Sequence, residues 1–159
     1  MTHRYFRQTL PAVEDYVMYE TVRSADHCLY VKLLQYNNLE AMMLLTEISK
    51  RTRNFSLVNR LKSGVIDVGI VIRVDKGYID ISRRRVTNED AEKCRTIYNY
   101  QQLAHRILSA VSSITGHSLD DLYNEIWRFE DEHKISLFQP HSRPLEGGYG
   151  GCAPNMKPL

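Results

Sequence analysis

Cysteine is scarce in this chain, and what there is does not pair. Cys28, Cys94 and Cys152 are odd in number, widely spaced and without a CxxC pair, which argues against both a disulfide framework and a zinc site and for reduced thiols. The histidines, at 3, 27, 105, 117, 133 and 141, show no HxxxH or HExxH spacing, so they read as surface or packing residues and not as metal ligands. There is no glycine-rich phosphate loop, no nucleophile beside a base motif and no carboxylate pair set apart from the charged helices. Catalysis is therefore not expected, and no cofactor is implied. No apolar run approaches the ~18 to 20 residues of a membrane span, and the N-terminus lacks the apolar core of a signal peptide. The expectation is a cytoplasmic protein that makes no use of a membrane.

What is present suits one or two small domains, since 43% of the residues are hydrophobic and can bury a core. The net charge of +2 hides an asymmetry. Residues 1–88 hold 14 Lys/Arg against 9 Asp/Glu, while residues 89–159 hold 7 against 10, giving halves of +5 and −3. A basic front half attached to an acidic back half is suited to meeting a polyanion, although such a surplus also occurs on solvated surfaces.

Between Asp15 and Arg85 the apolar residues alternate: Leu29, Val31 and Leu33; Leu39, Ala41, Met43 and Leu45; Val68, Ile70, Ile72 and Val74; Ile79 and Ile81. Period two marks strands with one buried face. Strands are predicted at 15–24, 27–35, 39–45, 66–74 and 77–83, joined by turn-prone Asp26, Asn37-Asn38 and Lys76-Gly77. Five short strands predict a β + α chain opening with a small OB-type, S1-like barrel over residues 1–87. Barrels of this kind commonly bind nucleic acid on the face of strands two and three. Tyr30, Lys32 and Tyr36 are the candidates for that face, unless the tyrosines simply cover the barrel.

Helical signals start at Thr87-Asn88-Glu89-Asp90, a capping box with carboxylates at the positive helix end. Leu103, Ile107, Val111 and Ile114 continue a stripe to Gly116, which suits a left-handed C-cap. Ser118 to Asp121 repeats the capping pattern, and Leu119, Leu122, Tyr123, Ile126 and Trp127 then line one face. A small helical domain is expected over 88–139. From 140 to 159 four prolines and four glycines leave few apolar side chains, which predicts a loosely draped tail.

From Ile48 to Gly64 the chain carries Lys50, Arg51, Arg53, Arg60 and Lys62 with no acidic residue to oppose them. Polar residues interleave them without strand alternation. A cationic loop over 46–64 is expected to leave the barrel, able to touch RNA phosphates.

Two segments are more specific than any barrel pattern. Residues 35–53 read QYNNLEAMMLLTEISKRTR, and 74–86 read VDKGYIDISRRRV. Together with Glu14-Asp15, Arg23-Ser24 and weaker similarity across 89–94 and 118–134, they resemble the alpha subunit of eukaryotic translation initiation factor 2. One departure is that Thr52 interrupts the basic run between Arg51 and Arg53, where the family carries an unbroken triplet.

The resemblance implies a regulatory subunit of the factor that delivers initiator tRNA with GTP to the small ribosomal subunit. Its partners would be the beta and gamma subunits, initiator tRNA, mRNA, a guanine nucleotide exchange factor and stress-activated protein kinases. Ser49 matches the family's phosphorylated serine in its lead-in and basic sequel. Lys76, Gly77, Tyr78 and Asp80 match the segment that docks the kinase, although Gly77 could serve only the turn and Asp80 only a neighbour. Family members continue into a mixed α/β domain that docks on the gamma subunit. Nothing after Leu159 supplies it, so the chain is expected to be a fragment. Two other readings remain at this stage: a pseudosubstrate decoy of the stress kinase, and a generic S1-type RNA-binding protein.

Overall fold

A computed structural model of the chain describes residues 4–49 and 62–133. Five strands, β1 (Tyr16–Ser24), β2 (Cys28–Leu33), β3 (Leu39–Leu44), β4 (Ile66–Asp75) and β5 (Tyr78–Ser82), precede two helices, α1 (Asn88–Thr115) and α2 (Leu119–His133). The strands close in the order β1-β2-β3-β5-β4, with β4 returning to β1. Every pairing is antiparallel except β3 with β5, where Met42 faces Asp80 in parallel register. Closure removes the free edges that an open five-stranded sheet would present.

Short-range chemistry sets the corners. Asn37 and Asn38 take φ of 56° and 57° between β2 and β3, a left-handed conformation that asparagine tolerates better than most residues. Lys76 and Gly77, at 47° and 87°, supply the two positive φ values of a tight hairpin whose twist matches its strands.

The barrel interior is filled by Val17, Tyr19, Leu29, Val31, Leu33, Ala41, Met43, Val71, Ile79 and Ile81. β4 departs from the predicted alternation. Val71 and Val74 face this core, whereas Val68 and Ile70 join a second cluster outside it. A register shift between Val71 and Arg73 turns the strand over, and Gly69 occupies the inward position before it. A Cβ at Gly69 would lie 3.0 Å from Ile81 Cδ1 and 3.4 Å from Tyr19 Cδ1, so the glycine is what lets those side chains close over the strand.

The second cluster is where the helices meet the barrel. Met18 and Val68 pack with Val86, Ala91 and Cys94, joined by Tyr16, Leu34, Ile70 and Tyr98. Thr87 caps α1 as expected, accepting from the Asp90 amide at 3.2 Å, and Gly116 ends it at φ 76°. Ser118 Oγ accepts from the Asp121 amide at 3.1 Å at the start of α2. The stripe Leu103, Ile107, Val111 and Ile114, however, is solvent-exposed among the described residues, with Ile114 84% open. The face of α1 that is buried runs instead through Ala91, Cys94 and Gln101. From α2, Tyr123 and Trp127 are the buried side chains, and Tyr123 bonds His105 of α1 at 2.9 Å.

Polar links cross the same seam. Gln35 Oε1 accepts from the Met18 amide at 3.0 Å, and its Nε2 donates to Gln101 Oε1 at 2.7 Å. Asp67 of β4 receives both Arg83, at 2.7 Å, and Arg95 of α1, at 2.8 Å. Ahead of β1, Arg4 lies over the Trp127 ring and Arg7 pairs with Asp131, tying the N-terminal segment to α2.

Cys28 and Cys94 are buried free thiols, and burial pushes the Cys94 pKa up to about 12; Cys152 lies outside the described residues.

Candidate regulatory and nucleic-acid interface

Two surfaces of the barrel gather the residues singled out by the sequence. The first is the exit from β3. Leu45–Glu47 forms one 3₁₀ turn, closed by the Ile48 amide on the Leu45 carbonyl at 3.3 Å. Ile48 is 2% exposed and belongs to the barrel core. Glu47 is also buried, held against the end of β5 and the run that follows it.

The Glu47 carbonyl accepts from the Arg83 and Arg84 amides at 3.0 and 2.8 Å. Its carboxylate accepts from Ser82 Oγ at 2.6 Å, Arg84 Nη2 at 3.2 Å, and Arg85 Nε and Nη2 at 3.3 Å each. The Ser82 hydrogen bond, with those of the arginines and their charge, outweighs burial and holds the Glu47 carboxyl below its ordinary pKa. A buried carboxylate thus has both oxygens hydrogen-bonded just past the end of β3.

Ser49 follows at once and is half-buried. Lys50, Arg51, Arg53 and Arg60 lie outside the described residues. Lys62 is described, and stands exposed just before β4.

The second surface is a groove of about 510 Å³ between the β2–β3 face and the β4–β5 hairpin, lined by Tyr30, Met42, Arg73, Gly77, Tyr78 and Asp80, among others. β5 turns its side chains as the alternation predicts, with Ile79 and Ile81 inward, Tyr78 74% exposed and Asp80 on the outer side. Asp80 pairs with Arg73 at 3.0 Å. Lys76 is exposed at the hairpin tip.

Of the residues proposed for a nucleic-acid face, Tyr30 is half-buried under the Arg23 guanidinium, 3.6 Å from its ring centroid, and Lys32 is bridged to Glu20 at 3.1 Å. Tyr36 does not belong to that face. It is 3% exposed, packed on Phe6 with ring centroids 5.1 Å apart, and burial raises its phenol pKa. The reason is that Tyr36 lies beyond the end of β2, where Arg4 bridges to it from the N-terminal segment.

Sequence reasoning did not single out Glu47, Arg84 and Arg85 as partners, nor Arg73 as part of the groove. The run of three arginines after Ser82 was the available signal; its partner was not, because it lies 37 and 38 residues away in the chain.

Among the described residues no group of three or more His, Cys, Asp or Glu could hold a metal ion, and no helix is long and apolar enough to cross a membrane.

No family profile matches the chain. Individual relatives do. Eukaryotic translation initiation factor 2 subunit alpha of Arabidopsis thaliana is 40% identical over 133 residues, covering 82% of this chain and 38% of that protein. The intact alpha subunit of aIF2 from Pyrococcus abyssi superposes with a TM-score of 0.71 at 28% identity, over 82% of this chain and 51% of that one. The a/eIF2alpha–aDim2p–rRNA complex from Pyrococcus horikoshii OT3 gives a TM-score of 0.69 at 28% identity, over 79% of this chain and 76% of that one. The chain spans about two fifths of the length of the curated relatives it matches. With its five-stranded OB-type barrel, its two helices and these identities, the chain belongs to the family of the alpha subunit of eukaryotic translation initiation factor 2.

Proposed function

We propose that this chain is the regulated, RNA-facing part of an initiation-factor subunit. Joined to beta and gamma subunits, it helps bring initiator tRNA with GTP to mRNA on the small ribosomal subunit. Phosphate on Ser49, added by a stress-activated kinase, turns it into an inhibitor of the guanine nucleotide exchange factor. The observation that carries this reading is the position of Ser49: one residue past Ile48, which is buried in the core of a closed barrel, and immediately before a stretch of sequence with five cations and no acid. A phosphate there adds about −1.5 to −2 charge beside Lys50 and Arg51. That the Pyrococcus horikoshii relative is found in a complex with aDim2p and rRNA supports RNA as a partner, and the excess of cations, with Arg53, Arg60 and Lys62 among them, makes the basic stretch the proposed contact.

The hairpin groove is the proposed kinase dock. Tyr78 offers an exposed ring and Asp80 a carboxylate on a rigid strand, with Lys76 and Gly77 shaping the tip. The decisive experiment is phosphosite mapping by mass spectrometry after incubation with such a kinase, beside Asp80→Ala. Ser49 is the expected site, and Asp80→Ala is expected to slow its modification. Equal rates would refute the dock. Kinase-treated Ser49→Ala is expected to bind the exchange factor no better than untreated protein; tight binding by that variant would refute the switch.

A further inference from the structure

Arg84 and Arg85 already form an anion site, and its occupant is Glu47. Three guanidinium nitrogens lie 3.2 to 3.3 Å from the two carboxylate oxygens. The two arginine side chains are 37% and 54% exposed, whereas the carboxylate they pair with is 11% exposed, so solvent reaches the arginines far more than their anion. Glu47 also has a partner independent of the arginines, Ser82 Oγ at 2.6 Å.

Ser49 lies two residues along the chain from Glu47, which keeps its backbone in the neighbourhood of this pair. Two residues span at most about 7 Å. The starting point of that span is a backbone whose carbonyl accepts from the Arg84 amide at 2.8 Å. An arginine head is carried on a flexible stem and presents a fork of donors that fits phosphate as well as carboxylate.

We propose that Arg84 and Arg85 are the intramolecular receiving site for a phosphate on Ser49, and that Glu47 is the stand-in anion it displaces. This inference rests on Ser49 being the phosphoacceptor. The phosphate carries up to twice the charge of the carboxylate and three acceptor oxygens, and it is tethered next to the site, so it meets the arginines at high effective concentration. Glu47 stays in place through Ser82 and the backbone bonds to Arg83 and Arg84, while its carboxylate loses its cations. Modification thereby swaps the anion that pairs Arg84 and Arg85 and leaves the barrel intact.

The test uses the full chain with phosphoserine introduced at Ser49 during translation, so no kinase has to accept the protein. Two shifts are expected. The second pKa of the phosphate, followed by ³¹P resonance, should lie lower in the otherwise unaltered chain than in the Arg84→Gln/Arg85→Gln variant, by at least about half a unit. The Glu47 side-chain carboxyl, followed by ¹³C resonance, should titrate at higher pH in the phosphorylated chain than in the unmodified one. The second measurement needs no arginine variant to fold. A ³¹P titration indifferent to the two arginines, or a Glu47 titration unmoved by phosphorylation, overturns the proposal. If both shifts appear while the exchange factor ignores the phosphoprotein, the receiving site stands and the inhibitory switch falls.

Discussion

The barrel and the helical pair are built from different materials, and the difference decides how each tolerates change. Inside the barrel, Leu29, Val31, Leu33, Met43, Val71, Ile79 and Ile81 have at most 2% of their surface exposed, and all of them are aliphatic or thioether. The helices instead hold to the barrel through Ala91, Cys94 and Gln101, while their aliphatic stripe faces outward. One region draws stability from apolar burial; the other depends on small side chains, rings and a few paired polar groups.

The sharpest way to break that comparison is to shorten one isoleucine in each. Ile81→Ala opens a cavity in a region with no slack and should cost about 2–5 kcal/mol. Ile107→Ala removes a side chain that is 56% exposed and should stay within about 0.5 kcal/mol. Urea midpoints of the two variants check both values. Similar losses would mean that the α1 stripe is covered in solution.

Next in size is the polar seam. Gln101→Ala strips the acceptor from Gln35 Nε2, which lies buried with it between barrel and helix. A buried donor left without a partner costs about 1–3 kcal/mol. The same change at exposed Gln8 should be silent by thermal unfolding. Equal melting temperatures for the two variants would remove the seam from the list of things that hold the helices.

Much of this was legible in the sequence, and the reasons are local. Five strands fell within a residue or two of their predicted ends because alternation was regular and Asn37-Asn38 and Lys76-Gly77 marked their turns. Ser49 comes from a motif, and the outward side of Tyr78 follows from the parity of β5. What stayed hidden was set by distant partners. The inward side of β4 depends on a register shift after Val71, and Tyr36 is buried because an N-terminal segment covers it. The buried face of α1 was missed because alanine, cysteine and glutamine carry no strong hydrophobic signal, while Leu103 and Ile107 carry one without being buried.

Smaller effects come from the hairpin tip. Gly77 has open space around it, so a methyl group meets no neighbour and the whole penalty is the backbone's, at φ 87°. Gly77→Ala should therefore destabilise by about 1–2 kcal/mol, the cost of a left-handed conformation for a residue with a Cβ. Urea unfolding gives that value. The proposed dock adds a second readout, since a hairpin that shifts to relieve the strain also moves Tyr78 relative to Asp80.

The last difference between the regions is electrostatic and shows in acid. Asp67 sits on β4 and is gripped by Arg83 beside the barrel and Arg95 on α1. Burial by itself raises its pKa, but the Arg83 hydrogen bond, the Val68 amide and the charges of both arginines outweigh it and leave the folded-state value below the ordinary one. A carboxyl with a lowered folded pKa stabilises the fold above its unfolded pKa, about 4, and loses that contribution as pH falls through the folded value. Unfolding free energy should thus decline below about pH 4, with Glu47 contributing in the same direction. Asp67→Asn cannot titrate, so its stability should start lower at neutral pH and fall less steeply in acid. Urea midpoints of the two proteins at pH 7 and pH 3 measure the slopes. Parallel slopes would mean that the bridge between strand and helix carries no charge-dependent stability, and that the apolar cluster around Met18 and Val68 and the neutral Gln35–Gln101 pair carry the junction instead.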